Sequence, residues 1–123
     1  MNFTNLVPNI FYKNIHDGIR LFVDVLGFRI AHDEINTQRP FCVLSRETIW
    51  INLFQDEALA AEHNPEFRLG TENIDEVYNA ISSAYPELLH PNLSKVTLRP
   101  WGAKEFAIRD SQLGIIFQEW PRR

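Results

Sequence analysis

Leu6-Val7-Pro8-Asn9-Ile10-Phe11-Tyr12-Lys13-Asn14-Ile15-His16-Asp17-Gly18-Ile19-Arg20-Leu21-Phe22-Val23-Asp24-Val25-Leu26-Gly27 is the stretch on which the reading of this chain turns. Its second half has the pattern of an amphipathic helix: Ile15, Ile19, Phe22, Val23 and Leu26 recur at helical spacing. Asn14 can cap the free N–H groups of the first turn, Asp17 stands where the helix dipole favours an anion, and Gly27 suits the left-handed backbone of a helix end. Its first half, residues 6–12, reads as a short strand. Pro8 lacks an N–H, which assigns that strand to a sheet edge or to a point where pairing changes.

The same grammar returns about half a chain later. Asn73 is a second cap, Asp75 and Glu76 fill a first turn, Ile74, Val77, Tyr78, Ile81 and Tyr85 form the apolar stripe, and Pro86 ends it. Residues 67–71 before it read as a strand. Three strand candidates follow each helix, at 28–32, 41–45 and 49–54 in the first half and at 96–98, 105–109 and 115–118 in the second. Residues 56–66 join the halves, with a helical turn at 58–62 and Pro65 as a breaker. The expected fold is therefore α+β: two tandem βαβββ modules, about 1–56 and 66–120, in one domain. The eight strands are expected to form a curved mixed sheet, helices outside, whose concave face lines a cleft.

Composition closes off other classes. The chain has 123 residues, 45% of them hydrophobic and 23% charged, proportions of a globular domain. Its single cysteine, Cys42, rules out an intrachain disulfide and lies in an apolar strand, as buried filler does. The net charge of −4, with basic residues scattered, argues against nucleic acid as a partner. No apolar run has the length of a membrane span, and residues 1–5 do not resemble a secretory signal, so the expected compartment is the cytoplasm. There is no HExxH, nucleophile elbow or phosphate-binding glycine loop.

Aromatic residues reach 12%, and their positions divide. Phe22, Phe28 and Phe106 read as core. Trp50 and Phe54 alternate with Ile49, Ile51 and Leu53, so they occupy the opposite strand face, and Phe41 opens the neighbouring strand. Trp101 lies between Pro100 and Gly102, on a bend where an indole is partly exposed. For Trp50, Phe54, Phe41 and Trp101, core and ligand-facing roles both remain open at this level.

Residues 6–8, the helix end at 24–28, Asn73-Ile74-Asp75-Glu76-Val77-Tyr78 and the run from Arg99-Pro100-Trp101-Gly102 to Arg109-Asp110 together resemble the glyoxalase/bleomycin-resistance/dioxygenase (vicinal oxygen chelate) superfamily, with particular likeness to bleomycin resistance proteins. The resemblance spans residues 6–119 and implies paired βαβββ modules. Enzymes of the superfamily place metal ligands on the first and last strands of each module. Here those positions fall near Val7, Glu66, one of Trp50, Asn52 and Phe54, and one of Ile116, Phe117 and Gln118. That donor set is too poor, so the resemblance implies no catalytic metal, no cofactor and no catalytic residue. It implies a binder that sequesters a flat aromatic ligand, cationic in the bleomycin case, with Trp101 and Gly102 in the family's turn motif and Phe41 and His32 at its aromatic positions; Trp50 and Phe54, on the strand face that alternation left open, complete the candidate ligand-binding residues. Asp33, Glu34, Glu47, Asp56 and Glu57 are the candidates for an acidic rim. It further implies a homodimer that exchanges N-terminal segments with Pro8 at the crossover. The alternatives are a metal-dependent glyoxalase-like lyase or dioxygenase, and a binder of an endogenous metabolite.

Overall fold

Each apolar helix stripe meets a strand face that alternates with it. In the computed structural model, which describes residues 1–122, the chain divides into two compact units, Met1–His63 and the residues from Asn64 on. The strands pair as two four-stranded sheets, one in each unit.

In the first unit, β1 (Asn9–Tyr12) leads to helix α1 (Ile15–Ile19), and β2 (Arg29–Glu34), β3 (Phe41–Arg46), β4 (Ile49–Gln55) and α2 (Glu57–Glu62) follow. The order across the sheet is β1-β4-β3-β2, with β1 parallel to β4 and the other pairs antiparallel. Strand β1 is at an edge, as Pro8 requires. Pro8 still contributes its carbonyl, which accepts from the Asn52 N–H at 3.0 Å. The Asn14 side chain caps α1 by accepting from the His16 N–H at 3.0 Å. After Ile19 the helix departs from the expected regular α-helix and continues as π-helix over Arg20–Val25. There the Leu26 N–H reaches the Leu21 carbonyl at 3.0 Å, a five-residue step. The wider turn rephases the buried face, so Leu21 and Phe22 are both in the core. Gly27, at φ +75°, ends the helix. The Arg46 guanidinium, at the end of β3, donates to the Leu26 carbonyl left free there.

Ile10, Tyr12, Cys42, Leu44, Ile51 and Leu53 form the buried face of this sheet. Gly18 lets α1 sit directly on it. A Cβ at that position would lie 2.6 Å from a Tyr12 ring carbon and 3.0 Å from a Leu53 methyl.

In the second unit the order of elements is β5 (Glu66–Gly70), α3 (Ile74–Ala84), a 3-10 turn (Pro86–Leu88), β6 (Thr97–Leu98), β7 (Lys104–Arg109) and β8 (Gly114–Glu119). The sheet order β5-β8-β7-β6 repeats that of the first unit, with β5 parallel to β8. Asn73 caps α3 by accepting from the Glu76 N–H, while the Glu76 carboxylate accepts from the Asn73 amide at 2.8 Å. The Glu119 carboxylate, on β8, accepts from the Ile74 N–H at 2.9 Å and ties the helix start to the sheet. Under the helix, Tyr78 meets Phe106 edge-on at 5.1 Å between ring centroids, and Phe106 stacks on Phe117 at 4.8 Å. Strand β6 is shorter than its counterpart β2 because part of the β7 edge is occupied by the preceding loop. Ala107 exchanges backbone hydrogen bonds with His90 and Leu93 there, both at 2.9 Å.

No helix among the described residues is long and apolar enough to cross a membrane. Gly18→Ala should lower stability by about 1–3 kcal/mol, the usual cost of overpacking a close contact. Urea denaturation followed by circular dichroism would show it as an earlier midpoint.

Candidate functional site

In the first unit, strand alternation sends every second side chain away from the helix. Phe11 on β1, Phe54 on β4, Phe41 on β3 and His32 on β2 form a row across all four strands. Successive ring centroids are 5.7, 5.7 and 5.6 Å apart, with Phe11–Phe54 and Phe54–Phe41 stacked and Phe41–His32 tilted. The three phenylalanines are half-buried and His32 is exposed. Phe41, Phe54 and His32 are thus brought together as the sequence suggested. Phe11 was missed, although its alternation with buried Ile10 and Tyr12 carried the signal. Trp50 shares this face but stands outside the row, with the Arg29 guanidinium 5.6 Å from its ring centroid.

The acidic residues of this unit do not stand free as a rim; local pairing uses them. Glu34 lies 3.2 Å from His32, Glu47 pairs with Arg46 at 3.2 Å and Glu57 with Lys13 at 3.5 Å. Asp56 caps α2 through the Leu59 N–H, and Asp33 accepts from the Ile35 N–H. The Cys42 thiol is fully buried, and burial, with Asp33 nearby, pushes its pKa up to about 11. It is a thiol at neutral pH and no nucleophile.

In the second unit, Trp101 lies on the turn between β6 and β7 and is 48% exposed, as its Pro-Gly neighbours predict. Gly102 takes φ +99°, a conformation that disfavours other residue types. Behind Trp101 is a feature that sequence reasoning did not assemble. Glu105, only 1% exposed, accepts from the Trp101 indole N–H at 3.1 Å and from the Gln118 amide at 2.7 Å, both on Oε2. The Nε atoms of Arg68 and Arg99 stand 3.9 and 3.8 Å from the same carboxylate. Arg99 also lies over the Trp101 ring, 4.8 Å from its centroid. The register explains the convergence: Glu105 is opposite Gln118, and Arg68 opposite Ile116, so all project to the face away from α3. Phe117 is on the helix side, 4% exposed, which settles the orientation of the last strand. A groove of about 1070 Å³ adjoins this cluster, lined among others by Gly70, Leu98, Gly102, Gln118 and Trp120.

The residues present do not fit a divalent metal. Val7 and Ile116 offer no side-chain donor, which leaves only Glu66 and the side-chain oxygen of Gln118, whose N–H donates to Glu105, and two ligands are too few. The buried carboxylate itself has two guanidinium groups within 4 Å, which oppose a second cation. Among the described residues, no three His, Cys, Asp or Glu side chains gather as a metal set.

No family model matches the sequence, and no curated relative matches it. Solved structures do. A bleomycin-binding protein complexed with bleomycin superposes with a TM-score of 0.73, covering 97% of this chain and 100% of its own, at 18% identity. The bleomycin-binding protein of Streptomyces verticillus, complexed with copper(II)-bleomycin, gives 0.68, with 99% of each chain covered and 18% identity. The chain has the fold of the bleomycin-binding proteins. A glyoxalase-related enzyme from Clostridium phytofermentans gives 0.71 over 98% of both chains at 17% identity. The bleomycin-binding fold thus extends to enzymes of the wider glyoxalase superfamily, and identities this low establish the fold alone.

Glu105→Leu should cost about 3 kcal/mol, because it strands the Trp101 and Gln118 donors and two nearby guanidinium groups. Denaturation midpoints would measure the loss, and a shift in tryptophan emission would report the released indole.

Proposed function

We propose that this chain is a cytoplasmic small-molecule-binding protein that holds a flat aromatic ligand by stacking and does not transform it. The observation that carries this reading is the row of rings on the face of the first sheet away from α1. A binding face needs apolar area and defined ring planes, and this row offers both. The half-exposed Trp101 in the second unit adds another stacking surface. Trp101, Phe41 and His32 lie at positions that the resemblance to bleomycin resistance proteins had marked. Bleomycin is the first ligand to test, because two of the matched structures hold it. Among the described residues, no group of three His, Cys, Asp or Glu side chains supports the lyase or dioxygenase alternative.

The reading includes a homodimer in which N-terminal segments are exchanged at Pro8. Met1, Phe3 and Leu6 support it. They are 112, 83 and 88% exposed, an apolar arm that a second copy would bury. Light scattering at tens of micromolar should give twice the 14.4 kDa chain mass; a monomer rejects the exchanged dimer.

Titration with bleomycin should quench the intrinsic tryptophan emission. Phe54→Ala and Trp101→Ala should each weaken binding about three- to tenfold, as loss of one stacked pair worth about 0.5–1.5 kcal/mol implies. Absence of any change up to a millimolar rejects bleomycin as the ligand. A different small molecule carried through purification, displaced by neither variant, rejects the stacking site as well.

A further inference from the structure

The face of the second sheet away from α3 differs in charge from the chain as a whole. The protein carries a net −4, yet the side chains on this face include Arg68 and Arg109 against Glu66 and Glu105, with Arg99 added from the turn. Its one deeply buried charge, Glu105, is already satisfied by two neutral donors, Trp101 and Gln118, on one oxygen. Arg68 and Arg99 therefore stand at ion-pair distance from the carboxylate without hydrogen-bonding to it. Neither guanidinium makes a hydrogen bond to any described residue, and the Nε of Arg99 is buried without a partner. Their side chains are 50% and 33% exposed, so the remaining N–H groups are open to a ligand.

Two guanidinium groups gathered around one carboxylate leave a positive charge over and a set of unused donors. Planar N–H forks of this kind match a carboxylate, which can accept two parallel hydrogen bonds from each. Trp101 adds the second half of the specificity. Arg99 covers one face of the indole, and Trp101 is still 48% exposed, which leaves indole surface for a ring. A cationic ring stacked there would meet the field of Arg99 through the indole and gain little from the ring's own attraction for cations.

We propose that this face binds the anionic end of an aromatic carboxylate: the carboxylate bridges Arg68 and Arg99, and the ring stacks on Trp101. Glu105 acts as a positioning residue that holds the indole and both arginines in place. The proposal rests on the stacking reading for Trp101 but assigns this unit a ligand of opposite charge to bleomycin's cationic groups.

The test compares 2-naphthoate with its neutral and cationic analogues, 2-naphthalenemethanol and 2-naphthylmethylamine, on the full chain by tryptophan fluorescence and calorimetry. Naphthoate should bind at least tenfold more tightly than either analogue. Arg68→Gln and Arg99→Gln should each remove most of that preference, while Arg99→Lys should retain part of it; thermal melts confirm that each variant is folded. Inorganic phosphate should compete only weakly. Equal binding of all three probes, or a preference that survives both glutamine variants, overturns the anion site and leaves ring stacking intact. Failure of all three to bind overturns both this site and stacking at Trp101. Competition by phosphate as strong as by naphthoate overturns the aromatic carboxylate and leaves a site for simple oxyanions.

Discussion

One helix can cover one face of a four-stranded sheet and no more, and the rest of this protein follows from that limit. In each unit the helix buries the alternate side chains nearest it. In the first these are Ile10, Tyr12, Leu44 and Leu53; in the second Phe106, Ile108, Ile115 and Phe117. Because side chains on a strand alternate, the other face receives an equally regular set. Cross-strand register then turns single residues into rows. Phe11, Phe54, Phe41 and His32 come from four separate strands, yet their rings are regularly spaced because neighbouring strands are held a constant distance apart.

The two sheet faces away from the helices share a backbone plan but have different chemistry. In the first unit the row is aromatic, and its acids are absorbed by neighbouring cations, helix caps and turns. In the second unit a buried carboxylate organises the face. Glu105 can be buried as a charge because two donors satisfy it and two guanidinium groups stand near. The same two guanidinium groups oppose a divalent cation beside that carboxylate. One backbone plan can thus carry different chemistry, with the difference set by a few side chains on strand faces.

Helix caps, the succession of elements along each module and the apolar positions of Phe22, Phe28 and Phe106 were legible because each is written in local pattern. Asn14 and Asn73 cap through side-chain atoms a few residues from their partners. Trp101 was legible as an exposed ring because Pro100 and Gly102 dictate its turn. The π-helical step after Ile19 was not, because it satisfies the packing of Leu21 and Phe22 against a sheet that forms elsewhere. The pairing of the acidic residues was hidden for a related reason: a count of carboxylates says nothing of which cations and N–H groups lie beside them.

The sequence by itself determined the repeat, the helix caps and the core assignment of Phe22, Phe28 and Phe106. Periodicity and residue chemistry encode all three locally. Only the tertiary structure decided that Phe11 completes the aromatic row, that Gln118 rather than Phe117 shares a face with Glu105, and that Arg68 and Arg99 converge on one carboxylate. Those facts depend on strand register, and a shift of one residue would turn each of these side chains to the opposite face.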